Sequence, residues 1–319
     1  MMLQGRAYEA LFLTVVGGLG VVVLTVLTFP LLLYLLPFLY NSVSLYIHYL
    51  LIFVVLWMII SENKAGVLWA SLIFLVSGVF GTLSLNTFPL ISIFPALTGL
   101  FGISGLIISL KIKTTIPKQS ESREVGVSIK GIFTGWFSGL LVGILPGVGS
   151  SQAGVIASNV FKADKKDFLT SIGGINTSNI LFTFISFFTL EKIRSGSVAA
   201  ISQILPSPTL HDTIVIIVVG LITAFIAAIV TLKTGKFVIR KIEKINYQKI
   251  SLFIIFLLVA LVVVFSGLVG LLIMFVGTCI GLLTVSLKIK RSHMMGFFLL
   301  PTILYFSGLN PFFFTVLGI

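Results

Sequence analysis

Pro146, Gly147, Gly149, Ser150, Ser151 and Gln152 stand together inside otherwise apolar sequence. Proline removes a backbone N–H and glycine tolerates strained dihedrals, so a helix is expected to break here. A half-helix starting near Ser150 would aim free N–H groups and the positive end of its dipole at the break. That is chemistry for an anion such as a carboxylate. The hydroxyls of Ser150 and Ser151 and the Gln152 amide can complete the coordination or cap the helix, and carbonyls left by the preceding half-helix suit a cation. The plainer reading is a kinked helix whose glycines serve only packing. Asn176, Thr177, Ser178 and Asn179, following Gly173-Gly174, form a second polar cluster. Two carboxamides and two hydroxyls in apolar surroundings need partners, either other helices or a substrate and its ion.

Little else in the chain suggests chemistry. His48, His211 and His293 are isolated, with no Cys, Asp, Glu or second His at metal-ligand spacing, so no metal site, cofactor or enzyme activity is expected. The glycine-rich stretch lacks the Gly-Lys-Ser/Thr ending of a nucleotide loop. Asp212, beside His211, reads as a helix N-cap. Cys279, the single cysteine, excludes an internal disulfide and reads as a small core residue.

The elements that hold these residues are apolar helices. The 319 residues are 57% hydrophobic and 9% charged, with mean hydropathy +1.19. Soluble domains carry roughly 25% charged residues. Runs of about 20 apolar residues recur, enough to cross a bilayer, without the alternation of a transmembrane barrel. The fold class is therefore all-α, a polytopic transmembrane helical bundle. The net charge of +12 lies mostly in gaps between apolar runs, which membrane topology explains without a nucleic acid.

Charged gaps divide the chain into blocks. Residues 1–110 hold about four spans, 111–130 a cytoplasmic loop, 131–194 a broken-helix region, and 195–319 a C-terminal block with a basic cytoplasmic loop at 233–249. Gly131, Gly135, Gly139, Gly143 and Gly147 form a ladder at helical spacing that lets another helix approach closely. Both flanks of 131–161 are basic, so two half-helices meeting in the membrane and returning to the cytoplasm are expected. The same logic predicts a second re-entrant hairpin over 168–190, returning Glu191-Lys192-Ile193-Arg194 to the cytoplasm. Ser197–Leu205 and Thr213–Leu232 then flank an outer turn, 251–287 reads as two spans around Ser266-Gly267, and a last span runs from about Met294 to Gly308.

At these residues the sequence resembles the large membrane subunit of the tripartite tricarboxylate transporters, the TctA family, including its shorter archaeal relatives. The similar stretches are 4–11 (Gln4-Gly5-Arg6 onward), 100–103, Gly139 through Pro146-Gly147-Val148-Gly149 to Ala153, Gly174 to Asn179, and His293 to Thr302. The resemblance implies an ion-coupled secondary transporter in the cell membrane for a small organic anion, a di- or tricarboxylate. The coupling ion would be sodium or proton. It also implies as partners a small membrane subunit and an extracytoplasmic binding protein, with a homo-oligomer as a further expectation. The family carries another N-terminal segment with its own glycine-proline break, which leads us to expect a missing first repeat here. Bacterial members more often carry a Pro-Glu-Ser stretch before the paired asparagines. Two alternatives stay open: a lipid-linked phosphate translocase, and a non-transporting membrane subunit or fragment.

Overall fold

The computed structural model describes residues 1, 4–111, 117–119, 126–145, 148–241 and 246–311, with Ser151 and Asn159 described by backbone only. No strand occurs among them. Seven helical stretches among the described residues are long and apolar enough to cross a membrane. The chain divides into two compact units that interleave in sequence, 1–44 with 115–245 and 45–114 with 246–319.

In the first unit, α1 (Ala7–Leu27) continues past Thr28 into α2 (Phe29–Val43), where Pro30 occupies the first turn and costs no hydrogen bond. The ladder helix α7 (Ile129–Ile144), the short α8 (Ser150–Val160), α9 (Lys165–Leu190), α10 (Gly196–Ile204) and α11 (Leu210–Lys241) complete it. Three helices, α1, α7 and α9, run in the same direction and touch through small residues. Glu9 sits by Lys166 and Thr14 by Gly173 at successive levels of α1 and α9. Gly131, Gly135 and Gly143 of α7 meet the Asp167–Thr170 turn, Ser171 and Ser186 of α9 in order. A Cβ on Gly17 would run into the Thr170 carbonyl oxygen, and one on Gly173 into that of Thr14. Apolar side chains gain nothing by leaving lipid for a helix surface, so this backbone-to-backbone approach is what holds the helices together.

The second unit contains α3 (Ile47–Ile60), α4 (Lys64–Thr87), the continuous run α5 (Ile93–Leu97), a π-helical turn Thr98–Ile103 and α6 (Ser104–Lys111), then α12 (Tyr247–Ser286) and α13 (Gly296–Phe306). Gly267, at φ 60° and ψ −155°, interrupts α12 in a conformation open mainly to glycine. Ser251 and Ser266 bond to Ser109 and to the Ile91 carbonyl, whereas Gly277 and Gly281 pack beside Gly99 and Leu100. The arm 251–266 thus runs against the 91–109 segment and the arm after Gly267 runs back along it, the two spans expected around Ser266-Gly267. Ile73, Ala96, Leu100, Met294 and Phe297 form the buried core of this unit.

Several expectations change. The second hairpin is absent, because α9 is one unbroken helix of 26 residues, about 39 Å long. Its Gly173-Gly174 pair is a contact with Gly17-Gly18 of α1, not a break. Glu191 to Arg194 therefore lie at the opposite end of α9 from Lys165. The expected span Ser197–Leu205 is the nine-residue α10, about 14 Å and too short to cross. Residues 233–241 of the basic stretch extend α11, in keeping with the helical spacing of their cations. α13, with 11 residues, is also shorter than a span. Cys279 is exposed, because Gly277, Thr278 and Gly281 make the packed stripe on that arm. The N-cap of α11 is Thr209. Its hydroxyl accepts from the Asp212 N–H, and Asp212 accepts in return from Thr209.

Candidate functional site

The first hairpin is present. Ser128 caps α7 by accepting from the Gly131 N–H at 2.8 Å, and the helix ends at Leu145, which is extended. Pro146 and Gly147 lie outside the described residues. Gly149 accepts the first bond of α8, from the Ala153 N–H. α8 then returns beside α7, where Ser138 Oγ donates to the Ala153 carbonyl and the Phe137 and Phe161 rings meet edge to face. At the base Lys130 Nζ donates to the Lys162 carbonyl, 2.9 Å away. Both legs of the hairpin are therefore anchored at one end of the unit.

The start of α8 falls at Ser150, so the N–H groups of Ser150, Ser151 and Gln152 precede the first intrahelical bond and face the break. Around them Val148, the Gln152 side chain and Ala153 are buried. Against α8 lies α9: a Cβ on Gly154 would touch Ile172 and Ile175. Asn179 occupies the same stripe one turn beyond Ile175. Because α8 and α9 run in opposite directions, this puts Asn179 level with the first turn of α8. Its Oδ1 is buried with no hydrogen-bond partner.

The second polar cluster thus divides among three faces of one helix. Ser178 is fully buried and donates to the Gly174 carbonyl at 2.7 Å, which makes it a packing residue. Asn176 and Thr177 line a cavity of about 240 Å³ between α1, α9 and α11, with Thr14, Gly18 and Thr231. Only Asn179 turns toward the hairpin. The glycine ladder is a packing stripe as far as Gly143, where Ser186 Oγ donates to the Gly143 carbonyl at 2.9 Å.

A charged clasp, absent from the sequence reading, fixes the base. Arg6 makes two hydrogen bonds of 2.6 Å to Glu9, and Lys166 lies 3.3 Å from the same carboxylate, tying α1 to α9. Asp167 receives the Ser128 hydroxyl, stands 3.8 Å from Lys130 and closes a capping box with Asp164. The Glu9–Lys166 and Asp167–Lys130 pairs join different helices, and only the shared end of three parallel helices assembles them.

Among the described residues of the second unit, buried His293 pairs with half-buried Glu62. Glu62 and His293 are joined at 3.0 Å, and Lys290 approaches Glu62 at 3.6 Å. Burial disfavours the Glu62 carboxylate, yet the bond from His293 and the charge of Lys290 outweigh it and hold its pKa below the usual range. Burial also pushes the His293 pKa down, and the bond to Glu62 offsets only part of that. No group of three or more His, Cys, Asp or Glu able to hold a metal occurs among the described residues.

The model of the family described as "Tripartite tricarboxylate transporter TctA family" matches residues 1–296. The chain belongs to this family. A transporter-family membrane component is what the re-entrant hairpin and the apolar helices would serve. The TctA-family chain is also similar to an uncharacterised protein of Methanocaldococcus jannaschii, with 29% identity over 316 residues, 95% of this chain and 78% of that protein. No solved structure matches. Of the stretches on which the resemblance rests, the Arg6–Glu9 element builds the clasp, and the Gly139–Ala153 element builds the hairpin.

Proposed function

We propose that this TctA-family chain is the permease component of an ion-coupled secondary carrier for a small organic anion of the di- or tricarboxylate class. In this reading the carboxylate sits at the start of α8, between the hairpin tip and Asn179. The observation that carries it is the re-entrant geometry itself: α8 begins at Ser150 inside the fold, with the N–H groups of Ser150 and Ser151 unused by the helix. Such a terminus offers hydrogen bonds and a positive dipole end to an anion without any cation nearby. Asn179 adds a half-buried amide on the facing helix, its oxygen buried and idle. An amide can donate to a carboxylate through its NH₂ while its oxygen joins a cation's shell. Sodium or proton drives the cycle, and a small membrane subunit and an extracytoplasmic binding protein are its partners.

Reconstitution of the purified chain in vesicles tests this. Uptake of labelled citrate or succinate should depend on an imposed sodium or proton gradient. Gly147→Val should abolish uptake while the protein still inserts. No gradient-dependent uptake of any di- or tricarboxylate, with or without partner subunits, would remove the reading.

A further inference from the structure

Arg194 lies four residues beyond α9, at the end of the first unit opposite the charged clasp. Its Nε and Nη1 are closed off from the surface and meet no acceptor. Its guanidinium carbon stands 5.5 Å from the centroid of the Tyr40 ring near the end of α2. No carboxylate among the described residues pairs with it. Glu191 is exposed and caps α9 in the left-handed conformation, and Asp212 is engaged by Thr209. Glu9, Asp164 and Asp167 all sit at the other end of the unit. Burial pushes the guanidinium pKa down, but an arginine starts high enough to stay charged at neutral pH.

A partly buried cation without a counter-ion is unfavourable, and a fold carries that cost most readily when an anion completes the site. A guanidinium over an aromatic face still directs its N–H donors to oxygen atoms in its own plane, and here Nε and Nη1 have met none. Tyr34 and Phe38, exposed on the same helix as Tyr40, give that end of the unit the aromatic character of a membrane interface. We propose that Arg194, backed by Tyr40, is an oxyanion-binding site at this end of the first unit, taking a carboxylate or phosphate group. The group comes from one of two sources, a soluble anion or the headgroup of an anionic lipid. The site stands apart from the α8 start and does not rest on the transport reading.

Thermal unfolding of the full chain tests it, at constant ionic strength, with citrate or inorganic phosphate added in detergent. A parallel series compares phosphatidylcholine nanodiscs with and without phosphatidylglycerol. At least one of these anions should raise the midpoint by several degrees, and Arg194→Gln should remove half or more of that gain while Lys192→Gln, at an exposed cation two residues away, keeps it. A gain from citrate or phosphate in detergent identifies a soluble anion, and one confined to phosphatidylglycerol identifies the headgroup. Arg194→Lys retains charge without the fork and should recover only part of the gain. If Arg194→Gln does not fold, Tyr40→Leu replaces it, and a gain at least halved supports the site. No gain in any condition, or a gain unchanged in the Arg194 or Tyr40 variant, overturns the proposal. Loss in Asn179→Leu alone would assign the anion to the hairpin instead.

Discussion

Asn179 and Glu62 show how differently two half-buried polar groups can be used. The Asn179 oxygen has no partner, so its burial costs free energy that a purely structural residue would have no reason to carry. Asn179→Leu should therefore leave the unfolding midpoint unchanged or higher while raising the KM for uptake about tenfold, about 1.4 kcal/mol of binding. Substrate titrations and a melting curve on the same preparation check both halves. Glu62, by contrast, is satisfied by His293 and Lys290, and both members of the pair have lowered pKa values. For each, the unfolded chain binds protons at a higher pH than the folded one. Their stabilisation is present above the ordinary His value and is lost as pH falls, first through the His293 range and then through that of Glu62. Melting in detergent should show a midpoint declining from about pH 6.5 downward, and His293→Gln should flatten the upper part of that decline. Asn179 was legible in the sequence as an amide in an apolar run. The Glu62–His293 pair was not, because 231 residues separate its members.

Helices in this chain associate through absent side chains. Gly17 and Gly173 bring the α1 and α9 backbones together, and Gly81 of α4 does the same with the Phe297 carbonyl. Gly173→Val should destabilise the first unit by about 3 kcal/mol or prevent its folding, because the Cβ meets a backbone atom that cannot turn away. The matched control is Gly196→Val, whose Cβ would have open space. Fluorescence-detected gel filtration after heating separates the two outcomes. The same spacing argument read Gly131 to Gly143 correctly as a packing face. It misread Gly173-Gly174 as a break, since a glycine pair looks alike in sequence whether it bends a helix or admits a neighbour. Proline makes the difference: Pro146 has no counterpart among residues 165–190, and α9 runs through unbroken.

Across the first unit, topology follows from which helices return. Lys130 and Lys162 meet at the hairpin base, whereas Lys192 lies past the far end of α9. In sealed, oriented vesicles carrying Cys279→Ser, cysteines at 130 and 162 should react with an impermeant maleimide from one side and a cysteine at 192 from the other. Labelling of 192 from the same side as 162 would restore the re-entrant alternative for α9. The far end of α9 also carries Arg194, so charges that a linear ruler assigned to the basic side contribute to the opposite one.

The sequence by itself determined that this chain is a helical membrane protein with a break at Pro146, and it also predicted a second break that α9 does not have. Length, hydropathy and a proline act locally, and nothing distant can cancel them. It also marked the start of α8 at Ser150, since caps and breaks are short-range features. The continuity of α9, the division of Asn176 to Asn179 among three faces, the clasp at Glu9 and Asp167, and the unpaired Arg194 were decided by tertiary structure. Each depends on which neighbour a helix face meets, and that is settled by packing between different helices rather than within one.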